Sequence, residues 1–169
     1  LIFSNFEKAL NDYKKHSIEK SKHWQKHYNN KIDKFMNLDN LINFRSYNTG
    51  LARGICNGTG TKKTIFTFFL EILQELGSEF VFNNLNKKNV GNCENSYKID
   101  DRFFDKAFIY QFHYFNDLVK LVFSKKKIKT VFEIGGGFGQ LARIILNNYD
   151  CKFFTIDLPE ANLLTSYYL

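Results

Sequence analysis

The sequence is poor in the residues that break or cross-link a chain. Its 169 residues include one proline and three cysteines, Cys56, Cys93 and Cys151, which are far apart and form no C-x-x-C pair. The single proline argues against long disordered linkers. The scattered cysteines provide neither a disulfide framework nor a zinc site, as expected in a reducing cytoplasm. We also predict no transmembrane segment, because the apolar stretch IFTFFL is interrupted by Glu71.

Aromatic and basic residues are abundant instead. Nineteen Phe and nine Tyr supply core material, and the formal net charge is +7. The lysines are dispersed, and the run at 125–127 lies between a predicted helix and a predicted strand, which is typical of a solvated connector. A basic face could still favour anionic acceptors. The pattern therefore predicts no specific nucleic-acid partner.

Apolar spacing predicts helices through the first part of the chain. The predicted elements are a polar helical stretch (5–30), a second helix (32–44), a glycine-containing loop (46–61), an apolar helix (62–76), an irregular Asn-rich segment (83–98) and a long helix capped by Asp100 or Asp101. We therefore expect an N-terminal helical region over 1–125 and a second domain from 126 to 169.

The most informative pattern is VFEIGGGFGQLA at residues 131–142, followed by IDLPE. In order it gives an apolar strand (128–134), glycines at 135, 136, 137 and 139, an amphipathic helix (141–146), a second strand (153–156) and Asp157. Glycines let the backbone turn sharply and approach a ligand near a helix N-terminus. Asp157 would follow the neighbouring strand, where a carboxylate can accept hydrogen bonds from both ribose hydroxyls. The fold class predicted is α/β, with the first half of a doubly wound sheet.

The glycine spacing distinguishes two cofactors. A nicotinamide fingerprint, G-x-G-x-x-G, counted from Gly135, needs glycine where the chain has Gln140. The third glycine is Gly139, and Glu133 precedes the set, giving E-x-G-x-G-x-G. A pyrophosphate gains nothing from an acid at the strand end, whereas S-adenosylmethionine has no phosphate and carries an ammonium group. The pattern therefore favours S-adenosylmethionine.

These residues resemble motif I of class I S-adenosylmethionine-dependent methyltransferases. EIGGGFGQLARIIL and IDLPEANLLTSYYL are similar to a family of sugar O-methyltransferases from bacterial surface-polysaccharide loci, with looser matches at SKHW, Asn43-Phe44-Arg45 and Asn89-Val90-Gly91. The resemblance implies a Rossmann-like fold, methyl transfer to a hydroxyl of a small-molecule or glycan acceptor, and a set of cofactor-binding residues. That set is Glu133, Gly135, Gly136, Gly137, Gly139, Asp157 and Leu158.

The resemblance also implies that the domain is incomplete. The chain begins at Leu1 and stops at Leu169, inside the helix after the second strand, so we expect a fragment that lacks the general base and has no activity by itself. Two other classes stay open: an NAD-dependent oxidoreductase and a non-catalytic Rossmann-like binding module. Oligomeric state cannot be read from the pattern.

Other candidate residues carry weaker signals. Arg45 lies beside an aromatic residue and a glycine-containing loop. Two interpretations stay open: Arg45 contacts the cofactor or the acceptor, or it donates hydrogen bonds to the carbonyl groups of a helix end. His113 lies on the helix before the first strand and, like Arg45, is a candidate substrate-site residue; it is a weaker alternative to a general base outside this fragment. The segment HWQKH, which spans His23 and His27, lacks the Glu of H-E-x-x-H, and His16 adds no such motif, so we predict no metal site.

Overall fold

The computed structural model describes residues 2–15, 22, 32–49, 51 and 62–169, which form a mixed α/β structure. The helices are α1 (Ile2–Lys15), α2 (Ile32–Phe35), α3 (Leu38–Ile42), α4 (Lys62–Leu76), α5 (Ser78–Asn84), α6 (Lys106–Leu118), α7 (Gln140–Asn148) and α8 (Pro159–Tyr168). A 3₁₀ turn (Val90–Asn92) follows α5, and a π-helical turn (Val119–Phe123) extends α6. The strands are β1 (Tyr97–Ile99), β2 (Arg102–Phe104), β3 (Thr130–Ile134) and β4 (Lys152–Ile156). No helix within these ranges is long and apolar enough to cross a membrane.

The predicted helix over 62–76 is confirmed as α4, with Ile65, Phe69 and Ile72 buried on one face. The helix predicted over 32–44 is instead divided between α2 and α3, because Asn37 caps α3 by accepting a hydrogen bond from Asn40 N–H at 3.1 Å. Of the polar stretch predicted as helix over 5–30, α1 covers the part up to residue 15. The remainder, apart from residue 22, lies outside the described residues, as do His16, His23 and His27.

The predicted cap of the long helix is wrong. Asp105 caps α6 by accepting a hydrogen bond from Phe108 N–H at 3.1 Å. Asp100 and Asp101 lie in the turn between β1 and β2, which pair antiparallel, and Asp100 has a φ of 52°. The segment predicted to be irregular over 83–98 likewise contains the end of α5 and the start of β1.

Two hydrophobic clusters form the core, and each draws residues from both sides of residue 125. The helical core contains Ile65, Phe69, Ile72, Val81, Leu85, Phe104, Phe108, Ile109, Phe112, Phe115, Ile144 and Ile145. The small cluster contains Phe35, Leu41, Phe44, Leu51, Phe138, Leu163 and Leu164. The β3–α7–β4 unit is therefore packed directly against the N-terminal helices.

The parallel strands β3 and β4 have one covered face and one open face. They pair in register from Thr130 opposite Lys152 to Ile134 opposite Ile156. The inward side chains are half-buried, and Val131 and Phe153 pack on the helical core. The outward side chains are exposed and largely apolar, and the rings of Phe132 and Phe154 stack at 5.0 Å. The sheet is thus packed against helices on one side only within the described residues.

Candidate functional site

The glycine loop (residues 135–139) connects the carboxyl end of β3 to α7. Gly135 N–H donates to the carbonyl oxygen of Ile156 at 2.9 Å, so the strand pairing continues to the last residue of β4. Asp157 therefore emerges directly beside the loop. Carboxyl ends of adjacent parallel strands are the usual place for a ligand in an open α/β sheet.

The Asp157 carboxylate is oriented by two backbone donors. Gly137 N–H donates to Oδ2 at 2.9 Å, and Leu158 N–H donates to Oδ1 at 2.7 Å. Each carboxylate oxygen can accept more than one hydrogen bond, so both retain capacity for a ligand hydroxyl. The structure thus brings together three of the residues predicted from the sequence to bind a cofactor.

The glycines of the loop have two different surroundings. Gly135, Gly137 and Gly139 have φ values of 75°, 64° and 86°, which residues other than glycine rarely adopt. A Cβ at Gly135 would meet nothing within 4 Å, whereas a Cβ at Gly139 would lie 2.7 Å from Cγ2 of Thr165. At Gly136 it would lie 2.6 Å from Oε2 of Glu133. The loop is therefore open at its first residue and packed at Gly136 and Gly139.

Glu133 lies beneath the loop on the inward face of β3, opposite Thr155 in the register. Glu133 Oε2 and Thr155 Oγ1 are both buried and have no hydrogen-bond partner among the described residues. Burial raises the pKa of the Glu133 carboxyl above its usual range, and repulsion from Asp157 raises it further. The strand ends thus carry two neighbouring carboxyl groups, a combination that disfavours an anionic ligand and suits a cationic one.

Gln140 adds unpaired polar atoms at the first residue of α7. Its side chain is buried, and neither its carboxamide nitrogen nor its oxygen has a hydrogen-bond partner in the described part of the chain. Buried polar groups are almost always hydrogen-bonded, so this group is consistent with a polar ligand or water at the site. The sequence indicated Gln140 only as a departure from the nicotinamide fingerprint. The signal that could have identified Gln140 is a polar residue at the first position of a helix whose start is predicted to be buried.

Phe138 anchors the loop in the small cluster. Its ring is buried and lies 5.4 Å from the rings of both Phe44 and Tyr168. The Arg45 guanidinium lies 5.1 Å from the Phe138 ring centre, within cation–π range. The sequence motif gave no role to Phe138, which is the one residue among the loop's five that is not glycine.

Arg45 reaches the loop through Phe138. It is only 2% exposed and forms an ion pair with Asp105 at 2.8 Å, and Asp105 in turn caps α6. The backbone N–H of Arg45 donates to the Gly91 carbonyl at 2.8 Å, and the Asn92 amide donates to Asn43 Oδ1 at 2.8 Å. Two upstream segments of the resemblance, 43–45 and 89–91, therefore meet behind Phe138 of the glycine loop, and Arg45 has a supporting position there. The third segment, SKHW, lies outside the described residues apart from residue 22.

His113 lies on α6 and contacts α4. Its ring packs edge-on against Phe68 of α4, with 6.2 Å between ring centres. No hydrogen bond joins it to the described residues of the glycine loop. The Asp157 carboxylate accepts from Gly137 and Leu158, and a role of His113 at the site stays a prediction.

Potential metal ligands are not grouped in the described ranges. No set of three or more His, Cys, Asp or Glu side chains is close enough there to hold a metal ion. Cys93 is free and buried, and Cys151 is free and half-buried. Cys56 lies outside the described residues.

Comparison with known proteins adds no assignment. No protein-family model, no curated protein and no solved structure matches this chain. The resemblance to methyltransferases thus stays a hypothesis, and its support comes from the glycine loop, Glu133 and Asp157.

Proposed function

We propose that this chain forms the first part of a class I methyltransferase domain and binds S-adenosylmethionine across the glycine loop. The observation that carries the proposal is the position of the Asp157 carboxylate. It is held by the N–H groups of Gly137 and Leu158 beside the open surface of Gly135. A carboxylate fixed in this way can accept hydrogen bonds from both hydroxyls of a ribose.

The charge of the site supports S-adenosylmethionine over a dinucleotide. Glu133 and Asp157 lie close enough for repulsion between them to raise the pKa of Glu133. A pyrophosphate placed here would add negative charge to the same region, whereas an ammonium and a sulfonium would offset it. The NAD-dependent oxidoreductase is therefore the weaker candidate.

The residues present fit the proposed cofactor. Gly135 provides room for close approach, Asp157 would accept the ribose hydroxyls, and Glu133 would face the ammonium group. When bound, S-adenosylmethionine would supply a methyl group on an electrophilic sulfonium. The proposed acceptor is a hydroxyl of a sugar in surface-polysaccharide synthesis, and this part of the proposal rests on the family resemblance alone.

The open face of the β3–β4 pair supports a larger doubly wound sheet. Ile134 is 84% exposed, and Phe132, Phe154 and Ile156 on the same face are also exposed. Parallel sheets occur almost only with both faces covered by helices. We therefore propose that further elements cover this face when the methyltransferase fold is complete.

The direct test is calorimetric titration of the full-length protein with S-adenosylhomocysteine, S-adenosylmethionine and NAD. We expect the two adenosyl ligands to bind and NAD not to bind. Asp157→Ala should weaken S-adenosylhomocysteine binding at least tenfold, since hydrogen bonds to a charged group contribute about 1.5–3 kcal/mol each. Asp150→Ala, which removes the same charge from an exposed position before β4, is the matched control.

Each contrary result has a definite meaning. Binding of NAD in preference to S-adenosylhomocysteine would favour the oxidoreductase, and binding of neither would favour a non-catalytic module. Because Asp157 also holds Gly137 N–H, circular dichroism and thermal unfolding of Asp157→Ala are needed to separate a lost ligand contact from a rearranged loop.

A further inference from the structure

Thr165 of α8 makes a hydrogen bond that its own helix does not need. The side chain is buried, and its hydroxyl oxygen lies 3.0 Å from the carbonyl oxygen of Gly137 and 3.1 Å from that of Ala161. A hydroxyl has one proton to donate, so the two carbonyl groups share it. The bond to Ala161 is the common one from a helical Thr to the residue four positions earlier. The bond to Gly137 crosses to the glycine loop.

The peptide groups around Gly137 are thereby held from two directions. The N–H of Gly137 donates to Asp157 at 2.9 Å, while its carbonyl accepts from Thr165 at 3.0 Å. Gly137 has a φ of 64°. Because glycine lacks a Cβ, its backbone can rotate more freely than that of any other residue type. Because peptide groups are planar and trans, a Gly137 carbonyl directed at α8 also directs the Phe138 N–H away from α8.

The methyl group of Thr165 acts on the next glycine. Its Cγ2 lies 2.7 Å from the position that a Cβ of Gly139 would occupy. One side chain therefore contacts the loop at two points, through a hydrogen bond at Gly137 and through packing at Gly139. Neither contact is implied by the glycine motif, since Thr165 lies on the helix after β4.

We infer that Thr165 is a positioning residue for the cofactor: it fixes the backbone on either side of the Gly137 Cα and, through it, the Asp157 carboxylate. The inference rests on the proposed function, because it concerns the affinity of the same site. If the Gly137 carbonyl lost its donor, the peptide group that contains it could rotate about the bonds to the Gly137 Cα, where the two neighbouring peptide groups meet. The preceding peptide group, which carries the Gly137 N–H, would then be less firmly fixed, and its hydrogen bond to Oδ2 of Asp157 would weaken. That bond is one of the two contacts that orient this carboxylate for a ribose.

The experiment compares three variants of the full-length protein by calorimetric titration with S-adenosylhomocysteine. Thr165→Val keeps the shape but lacks the hydroxyl, and Thr165→Ser keeps the hydroxyl but lacks the methyl. Thr67→Val is the control, because Thr67 donates to the carbonyl of Lys63 at 3.1 Å within α4 and is exposed. We expect Thr165→Val to bind about three- to tenfold more weakly, the range that corresponds to one net hydrogen bond. Thr165→Ser and Thr67→Val should stay within about twofold of the wild type, which is below one such bond.

A double-mutant cycle tests whether Thr165 acts through Asp157. In an Asp157→Ala background, Thr165→Val should have no further effect on affinity, because the carboxylate that it positions is gone. A purely structural role would leave the effect unchanged in that background, and this outcome would overturn the inference. If Thr165→Val does not fold, Thr165→Ala provides the same comparison against Thr165→Ser.

The outcomes separate this inference from the proposed function. A wild-type protein that does not bind S-adenosylhomocysteine would overturn both. A wild-type protein that binds it while Thr165→Val binds equally well would overturn the role of Thr165 alone. Equal losses in Thr165→Val and Thr165→Ser would also overturn it, since the hydroxyl would then have no special importance.

Discussion

The two ends of the glycine loop differ in what surrounds them. At Gly135 the space that a side chain would occupy is open, whereas at Gly139 that space is filled by Thr165 and, 3.5 Å away, by Leu169. Both residues have positive φ, so their backbones require glycine for the same conformational reason. Their surroundings nevertheless differ: packing fixes the Gly139 end, and under the proposed function the open Gly135 end is where the ligand would approach. Equivalent letters in a motif can therefore serve binding and stability separately.

The packed end depends mainly on Phe138, and its loss should give the largest effect. Phe138→Ala should lower the free energy of unfolding by about 3–5 kcal/mol, the usual cost of removing a buried aromatic ring. Its contacts with Phe44, Tyr168 and Arg45 would all be lost. Equilibrium urea unfolding of the full-length protein measures the change, and Phe138→Leu, which keeps most of the volume, should lose less. A loss under about 1 kcal/mol for Phe138→Ala would show that the packed end is not anchored as described.

A matched pair of alanine substitutions tests the comparison directly. Gly135→Ala and Gly139→Ala both place a side chain at positive φ, which costs about 1–2 kcal/mol. Gly139→Ala adds a collision with Thr165, so we expect it to lose more stability. Gly135→Ala should instead lose more affinity for S-adenosylhomocysteine, by about tenfold or more, because its methyl group would occupy the surface where the ligand approaches.

Gly77 provides the control for backbone strain. It has a φ of 84°, lies between α4 and α5, and a Cβ there would also meet nothing within 4 Å. Gly77→Ala should therefore match Gly135→Ala in thermal unfolding but leave ligand affinity unchanged. If both variants bind S-adenosylhomocysteine as the wild type does, the open end of the loop is not a ligand surface.

The double variant Gly139→Ala with Thr165→Ser, which removes the colliding methyl, should recover part of the stability that Gly139→Ala loses.

The smallest effect should come from the pH dependence of Glu133. Its pKa in the folded protein is raised above the ordinary value of 4.5, by burial first and by Asp157 second. A carboxyl group with a raised folded pKa stabilises the fold below its unfolded pKa, and this contribution is lost as the pH rises through the folded pKa. Wild-type stability relative to Glu133→Gln should therefore fall as the pH increases from about 4 towards neutrality. Urea unfolding of both proteins across this range measures the difference. If the free energies of unfolding of wild type and Glu133→Gln changed in parallel with pH, the raised pKa of Glu133 would be contradicted.

The local elements of the site could be read from the sequence because each has a local signature. The strand predicted over 128–134 is β3 (Thr130–Ile134), and Asp157 follows β4 as expected. The bond from Gly137 N–H to Asp157 was not readable, because it depends on how β3 and β4 align. This alignment depends on both strands together, so the sequence of either strand alone does not indicate it.

Long-range contacts account for what the sequence did not show. Phe104 fits a helical spacing with Phe108, yet it belongs to β2, because its strand pairs with β1 and Phe103 N–H donates to the Asn86 carbonyl. The position of Arg45 was equally undetermined. Its burial follows from the ion pair with Asp105 and the ring of Phe138, both distant in sequence.

The anchoring of Phe138 has a consequence for biosynthesis. One of its ring partners, Phe44, is made early, whereas Tyr168 and the hydroxyl of Thr165 belong to α8, which follows the loop in the chain. A nascent chain that has left the ribosome only as far as β4 holds Phe138 without its later partners. Contacts between distant residues form slowly, and exposed aromatic rings in partly made chains favour misassembly. The order of translation therefore makes the glycine loop one of the last parts of this region to take its final shape.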